Sequence, residues 1–325
     1  MKLARRIFLG LTAAAAVLPT MSPIAMAENY PAQPVRVIVP FGSSGATDIV
    51  ARLIAQWLSD RLGRQFIVEN RPGAGSNLGT AAVIRSAPDG YTLLLVGPPA
   101  AINATLYEKL SFNFLRDIAP IAGIVRFPNV MVVHPSVPVT TVAELIAYAK
   151  ANPGKINFAS TGLGSTPHVN GELFKMMAGI NIVHVPYRSA AAAMTDLLSG
   201  QMQLYLGTAA TTVGYIKAGT LRALGVTALA RSQTLPDVPT VAESVPGFEA
   251  SAAYGLGAPI DTPGEIVAML NKEVNVALAN AGMQARFAEL GGIVLPGSAA
   301  DYRNLIAAET EKWAKVVKFA GVRVD

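Results

Sequence analysis

Two segments of this chain share one design, in which a short apolar run is followed by a glycine-rich polar loop and then by a helix. The first segment begins at the β-branched run 35–39 and the second at 156–159. Residues 48–62 place their apolar side chains on one helical stripe, and a second helix is predicted from Pro167 to Gly179. Short strands that alternate with helices in this way are typical of α/β architecture. The sequence therefore predicts an α/β fold.

The strand and helix pattern starts again near residue 130, which indicates a second α/β lobe. We expect the chain to cross between lobes near residues 128 and 252, so that the second lobe is inserted within the first. The predicted division is 28–128 plus 252–325 for lobe 1 and 129–251 for lobe 2. About 298 residues would remain after a leader of 27, and a chain of that size usually forms two domains.

The N-terminus has the pattern of an export signal. A basic start with Arg5 and Arg6 precedes an apolar run from Ile7 to Leu18, and Ala25-Met26-Ala27 offers a small-x-small cleavage pattern. The apolar run is shorter than the roughly 20 residues that span a bilayer, so residues 1–27 are predicted to be a cleaved signal peptide. The arginine pair fits either a twin-arginine or an ordinary Sec signal, and both alternatives stay open. We expect a periplasmic protein without a membrane anchor.

Charge and cysteine content exclude several classes of function. The formal net charge falls from +5 to +2 without residues 1–27, which hold three basic residues and no acidic ones. That charge is too weak and too dispersed for a nucleic-acid surface. The absence of cysteine excludes disulfides, thiolate catalysis, cysteine-type zinc sites and a lipoprotein anchor.

The two glycine-rich loops are the best candidates for a binding site. Glycines allow close approach of a ligand, free N–H groups at a helix start attract anions, and hydroxyls add donors. In open α/β sheets ligands bind at the carboxyl ends of strands, where both loops should lie, so they could form opposite jaws for an acid. The alternative is that each loop is an ordinary capped turn. The candidate residues are Phe41, Gly42, Ser43, Ser44, Thr47 and Asp48 in the first loop and Ser160, Thr161, Ser165 and His168 in the second.

Motifs for nucleotides, metals and catalysis are missing from the sequence. The loop Gly73–Gly79 lacks the third glycine of a dinucleotide fingerprint, although Asn77 in it could contact a ligand. We predict no cofactor and no metal, because no HExxH motif or metal-spaced cluster occurs. Asp48 is interpreted as a helix cap rather than a catalytic acid, and His184 as a structural residue. Polar donors without a nucleophile–base pair suit binding better than catalysis, so no enzyme activity is expected.

Longer motifs run through the whole chain after the predicted signal. They are Val39-Pro40-Phe41 with the loop to Asp48, Val68–Gly75 with Asn77 and Gly79, Ala87–Leu93, Gly171–Phe174, His184–Arg188, Ala218-Gly219 with Leu221–Leu224, and Leu235–Thr240. In these motifs the chain resembles the extracytoplasmic receptors of tripartite tricarboxylate transporters, the Bug family.

The resemblance implies a periplasmic-binding-protein fold of type II character, with two lobes, a hinge and a cleft between them. It implies a monomer that binds a mono-, di- or tricarboxylate or an aromatic acid and hands it to membrane permease subunits. It also adds Gly97, Pro98 and Thr208 to the predicted ligand contacts. The departures from the family pattern are Ser43-Ser44, Ser189, Gly207 and Ala253. The resemblance implies that many relatives carry an acidic residue at position 207, which would pair with an amino group of the ligand. Because this chain has Gly207 there, we expect an amino-acid ligand less than an acid without an amino group.

Two other functions remain open at this point. A sensor subunit that feeds a membrane kinase would need the same lobe closure as a transport receptor. An exported enzyme on a similar two-lobed fold is the third possibility, supported only by the polar cleft.

Overall fold

The computed structural model describes residues 30–43, 46–232 and 234–324. The predicted signal peptide, residues 1–27, lies outside the described residues, and so does Ser44 of the first loop. Within the described residues, no helix has the length and apolar character needed to cross a membrane.

The order of elements is mixed α/β, as predicted. The strands are β1 (Val35–Val39), β2 (Phe66–Asn70), β3 (Thr92–Val96), β4 (Ile118–Phe127), β5 (Asn129–Val133), β6 (Asn157–Ser160), β7 (Val183–Pro186), β8 (Leu204–Thr208), β9 (Arg222–Val226), β10 (Ala252–Pro259) and β11 (Ile293–Val294). The α-helices are α1 (Ala46–Leu62), α2 (Asn77–Ile84), α3 (Pro99–Leu106), α4 (Phe114–Asp117), α5 (Val142–Ala151), α6 (Thr166–Ala178), α7 (Ala190–Leu198), α8 (Ala209–Lys217), α9 (Gly264–Ala279), α10 (Ala281–Glu289) and α11 (Ala299–Ala320).

The first sheet has the strand order β11-β4-β10-β3-β1-β2 among the described residues. Strand β1 is parallel to β2 and β3, and β10 is antiparallel to β3 and β4. Helix α1 buries Val50, Ile54 and Leu58, the apolar stripe that the sequence predicts. Since β1 and β3 are parallel, their carboxyl ends meet at one edge of the sheet and bring residues 41 and 97 to that edge.

The second sheet has the order β7-β6-β8-β5-β9 in the described chain. Strand β6 is parallel to β7 and β8, while β5 is antiparallel to β8 and β9. The carboxyl ends of β6 and β8 therefore lie at the same edge, where Ser160 and Thr208 end their strands. Thr208 also pairs with Asn129, the first residue of β5.

The chain passes from the first sheet to the second through Pro128, between β4 and β5. It returns between β9 and β10, and the two passages are joined by buried hydrogen bonds. Thr227 Oγ1 accepts from the Asn129 N–H at 2.7 Å and Asn129 Nδ2 donates to the Ala250 carbonyl at 2.8 Å. The Ala250 N–H donates to the Thr227 carbonyl at 3.0 Å. These bonds hold the two passages side by side.

The last helix, α11, packs against the regions of both sheets. Helix α11 begins with a reciprocal capping box between Ser298 and Asp301. Near its end, Trp313 and Val316 are buried in a core cluster with Phe158 and Phe174 of the second-sheet region. The lobe boundaries near 128 and 252 stay a prediction, and α11, expected in lobe 1, also packs into the core beside the second sheet.

Candidate functional site

A cavity of about 380 Å³ is lined by the start of α1, which follows the first glycine-rich loop, and by the junction of β8 and α8. None of the described residues of the second loop, 160–168, lines this cavity. Thr47, in the first turn of α1, lies on one side of it, and Thr208, between β8 and α8, lies on the other. Phe127 and Pro128, where the chain passes between the sheets, line it as well. The cavity thus lies beside the chain passage, between the carboxyl-end edges of the two sheets.

Tyr254 is the largest polar side chain on the first-sheet side of this cavity. It is 7% exposed, and its ring meets that of Phe127 edge-on with centroids 5.8 Å apart. Burial raises the pKa of Tyr254 to about 12, while a hydrogen bond with the Thr47 side chain acts in the opposite direction. The phenol is therefore neutral at physiological pH.

On the second-sheet side, a group of threonine hydroxyls bonds within itself. Thr211 Oγ1 donates to the Thr208 carbonyl at 2.8 Å, and Thr212 Oγ1 donates to the same carbonyl at 3.1 Å. The hydroxyls of Thr208 and Thr211 are 3.3 Å apart. Thr211 lines the cavity together with Thr208.

Asp48 has a partner set that explains its burial in the first loop segment. Its carboxylate accepts two hydrogen bonds from Arg52, at 2.9 and 3.0 Å, and one from Asn70 Nδ2 at 2.9 Å. Asn70 Nδ2 also lies 3.1 Å from the Phe41 carbonyl, to which it donates. Asp48 therefore ties the first turn of α1 to Asn70 of β2, and Asn70 in turn holds Phe41 of the loop. A direct contact between Asp48 and a ligand stays a prediction. Gly42 and Ser43 of this loop are exposed.

Gly97 lies against the same aromatic side chains. A β-carbon built on Gly97 would be 3.3 Å from Tyr254 Cε1 and 3.7 Å from Phe41 Cε2. Pro98 follows and accepts hydrogen bonds from the first turn of α3. Asn77 instead accepts from Asn103 Nδ2 at 2.8 Å, so its side-chain oxygen ties α2 to α3. Of these three predicted residues, Gly97 is the one placed beside Tyr254.

The second loop is closed by its own hydrogen bonds. Ser160 is fully buried and its Oγ lies 2.6 Å from His184 Nε2. Ser165 Oγ donates to the Gly162 carbonyl at 2.7 Å. Thr161 is partly exposed on this loop. The loop also approaches α3, since a β-carbon on Gly164 would collide with the Leu106 side chain. The predicted second-loop residues thus form a compact turn against α3.

His168 lies beneath this turn. It is 2% exposed, its Nδ1 accepts from the Gly164 N–H at 3.0 Å, and its ring stacks on His184 with centroids 3.9 Å apart. Burial lowers the pKa of His168 to about 3, with a further contribution from His184, and lowers that of His184 to about 4. Both rings are therefore neutral at pH 7, and His184 has the structural role that the sequence predicts.

Sequence reasoning missed Phe127, Tyr254 and Thr211 as cavity residues. The aromatic pair comes from strands β4 and β10, which the sequence analysis did not predict. Thr211 had a detectable signal, since it stands three residues after Thr208 and a helix turn brings such positions together.

The comparisons with known proteins now decide the family. The family model described as the tripartite tricarboxylate transporter family receptor matches residues 50–322. The chain belongs to this receptor family. Protein BugT of Bordetella pertussis is 37% identical over 301 residues, which is 92% of each chain. The resemblance stated from the motifs is confirmed.

Two solved structures of receptor-family relatives have the same fold. R. palustris Rpa4515, solved with adipate, has a TM-score of 0.79 and 37% identity, and the match covers 90% of this chain and 99% of that one. MatC from Rhodopseudomonas palustris, with bound malate, has a TM-score of 0.75 and 30% identity, covering 89% of this chain and 100% of that one. The receptor-family chain thus has a two-lobed periplasmic-binding-protein fold.

Proposed function

We propose that this protein is a periplasmic receptor that captures a small carboxylate between its two lobes and delivers it to the membrane permease of a tripartite system. The observation that carries the proposal is the cavity that Thr47 and Thr208 share, because Thr47 begins the helix after β1 of the first sheet and Thr208 ends β8 of the second sheet. Relatives solved with adipate and malate support a carboxylate ligand.

In this proposal the acid group binds at the first loop. The positive end of the α1 helix dipole favours a carboxylate there. The network of Asp48, Arg52 and Asn70 would keep that loop in place through the Phe41 carbonyl. The proposed contacts of the first lobe are Phe41, Gly42, Ser43, Ser44, Thr47, Asp48, Asn77, Gly97 and Pro98.

The second lobe would contact the rest of the ligand and would close over it. Ser160, Thr161, Ser165, His168 and Thr208 are its proposed contacts, among which Thr208 lines the cavity. We place the hinge at the passages joined by Asn129, Thr227 and Ala250, because lobe motion about boundaries near 128 and 252 would turn there. The ligand would stabilise the closed arrangement by preferring it over the open one.

Calorimetric titration of the purified mature protein tests the proposal. The panel contains adipate, malate, citrate and benzoate, with glucose and ribose as neutral controls. We expect at least one acid to bind with a Kd of about 1 μM, equivalent to about 8 kcal/mol, and the sugars not to bind. Thr208→Val should weaken that binding, while Thr195→Val on the exposed side of α7 should not. Sugar binding without acid binding would contradict the proposal.

Delivery to a permease needs a cellular measurement. Deletion of the receptor should abolish growth on, and uptake of, the acid found by calorimetry. Uptake that continues without the receptor, together with loss of a transcriptional response to the acid, would favour the sensor alternative instead.

A further inference from the structure

The walls of the cavity beside the chain passage are mostly hydrocarbon. Ile49 of α1, Phe127, Pro128, Tyr254 and Leu290 contribute to its lining. Among the described residues that line it, none carries a formal charge. A ligand group placed here would gain from leaving water only if it is apolar itself, because burying a polar group without a partner costs free energy.

Hydroxyl groups of the second-sheet side of the cavity are partly used within the protein. Thr211 donates its proton to the Thr208 carbonyl, and its oxygen is 3.3 Å from that of Thr208. Because the Thr211 proton is already used, the lining offers too few polar groups to replace all the hydrogen bonds with water that a ligand with several hydroxyls would lose.

Tyr205 also fills the space at the end of the second-sheet strand. It is 2% exposed, and a β-carbon built on Gly207 would be only 2.6 Å from Tyr205 Cζ. The two residues are on the same face of β8, because side chains alternate along a strand. The ring therefore occupies the volume that a side chain at position 207 would need, so this position adds no polar group beside Thr208.

We infer that the cavity takes the hydrocarbon body of the acid, so that the ligand is an aliphatic or aromatic carboxylate without hydroxyl groups on its carbon chain. This inference rests on the proposed function, since it presumes that the acid group binds at the first loop. It names the feature by which the receptor chooses among acids: the polarity of the carbon chain rather than the number of carboxylates.

Two matched pairs of acids test the inference by calorimetry. Adipate and galactarate share six carbons and two carboxylates, and galactarate adds four hydroxyls. Hexanoate and gluconate form the corresponding monocarboxylate pair. We expect the hydrocarbon member of at least one pair to bind about tenfold or more tightly than its hydroxylated partner. Equal or tighter binding of galactarate or gluconate would overturn the inference.

The outcomes also separate the inference from the proposed function. If malate or citrate binds and none of the four matched acids does, the proposed function stands and the inference fails. If no acid of either panel binds, the proposed function fails and takes the inference with it.

A cavity variant gives a second, independent readout. Ile49→Asn replaces a half-buried apolar side chain of the lining and should weaken binding of the hydrocarbon acid roughly fivefold. Val276→Asn, at an exposed position of α9, is the matched control and should leave the affinity unchanged. Thermal unfolding of both variants verifies that they are folded. An Ile49→Asn protein that is folded and binds the acid as tightly as wild type would contradict the assignment of the hydrocarbon body to this cavity.

Discussion

The ring of Tyr205 lies directly over Gly207, two residues along the same strand. A β-carbon at position 207 would be 2.6 Å from Tyr205 Cζ, closer than carbon atoms approach in proteins. The absence of a side chain at position 207 is thus a packing requirement of this chain, and an acidic side chain there would need the tyrosine to move. The packing of the pair thus gives a physical reason for the glycine at position 207.

Gly207→Ala should destabilise the protein because the added methyl group collides with the buried ring. We expect a loss of about 1–3 kcal/mol in the free energy of unfolding, measured by urea denaturation. Tyr205→Ala leaves a cavity and should also destabilise, but the double variant should lose less than the sum of the two single losses. Additive losses would show that the two residues are not coupled in this way.

Loosening the first loop should weaken ligand binding without unfolding the protein. Asp48→Asn removes the charge that Arg52 and Asn70 contact and should cost about 1–3 kcal/mol of stability. The affinity for the bound acid should fall too, because the Phe41 carbonyl loses its ordered partner. Glu289→Gln, in an exposed ion pair with Arg286, is the control and should change stability by no more than about 0.5 kcal/mol. An Asp48→Asn protein with unchanged stability would contradict the anchoring role.

The stacked histidines predict how stability depends on pH. The folded-state pKa values of His168 and His184, about 3 and about 4, lie below the ordinary 6.5. Below pH 6.5 the unfolded chain therefore binds protons that the native state does not, so stability is lost as pH falls from 6.5 toward 4. The loss approaches about 1.4 kcal/mol per pH unit for each histidine.

Urea midpoints at pH 7, 6 and 5 measure this effect. His168→Phe, which keeps a ring in the stack, should reduce the slope between pH 6 and 5. A variant with the same slope as wild type would show that acid sensitivity comes from other groups.

The stability of the protein should depend on the Thr227 hydroxyl, which joins the two chain passages between the sheets. Thr227→Val leaves the buried Asn129 N–H without the acceptor that now lies 2.7 Å away. We expect a loss of about 1–3 kcal/mol of stability, compared with almost none for Thr195→Val on α7. Thr227→Ser, which keeps the hydroxyl, should retain most of the stability, and failure of this rescue would point to packing of the methyl group instead.

Much of the fold follows from local patterns in the sequence. The runs at 35–39 and 130–133 form strands because β-branched residues suit buried parallel and central strands. The helix at 48–62 forms because its apolar residues recur on one face. Each of these elements is determined by residues that are close together in the chain, so it can be predicted from the sequence alone.

The strands β4 and β10 were missed because their local sequence patterns are ambiguous. Strand β4 contains Gly123 and Pro120, and β10 contains Gly255 and Gly257, all of which local patterns interpret as signs of turns. In the structure a β-carbon on Gly255 would collide with the Tyr302 ring and with the Ala122 carbonyl. That glycine is fixed by a contact with a residue 47 positions away, which no local pattern reports.

Some residues of the candidate site could be predicted from the sequence, and others depend on tertiary contacts. Thr47 could be named from its loop, since strand–loop–helix junctions gather at sheet edges, whereas Thr208 was predicted from the family resemblance alone. The internal pairing of the second loop, with Ser160 on His184 and His168 on Gly164, depends on tertiary packing. So does the aromatic wall of Phe127 and Tyr254, which joins residues more than a hundred positions apart.

The most direct test of the central claim is a crystal structure of the protein with the acid that calorimetry selects. We predict density for the acid between Thr47 and Thr208, with its carboxylate at the loop before α1 and its carbon chain against Phe127 and Tyr254. An acid bound elsewhere, such as in the cavity lined by Arg231, Ser232 and Gly291, with the Thr47–Thr208 cavity holding only water, would contradict it.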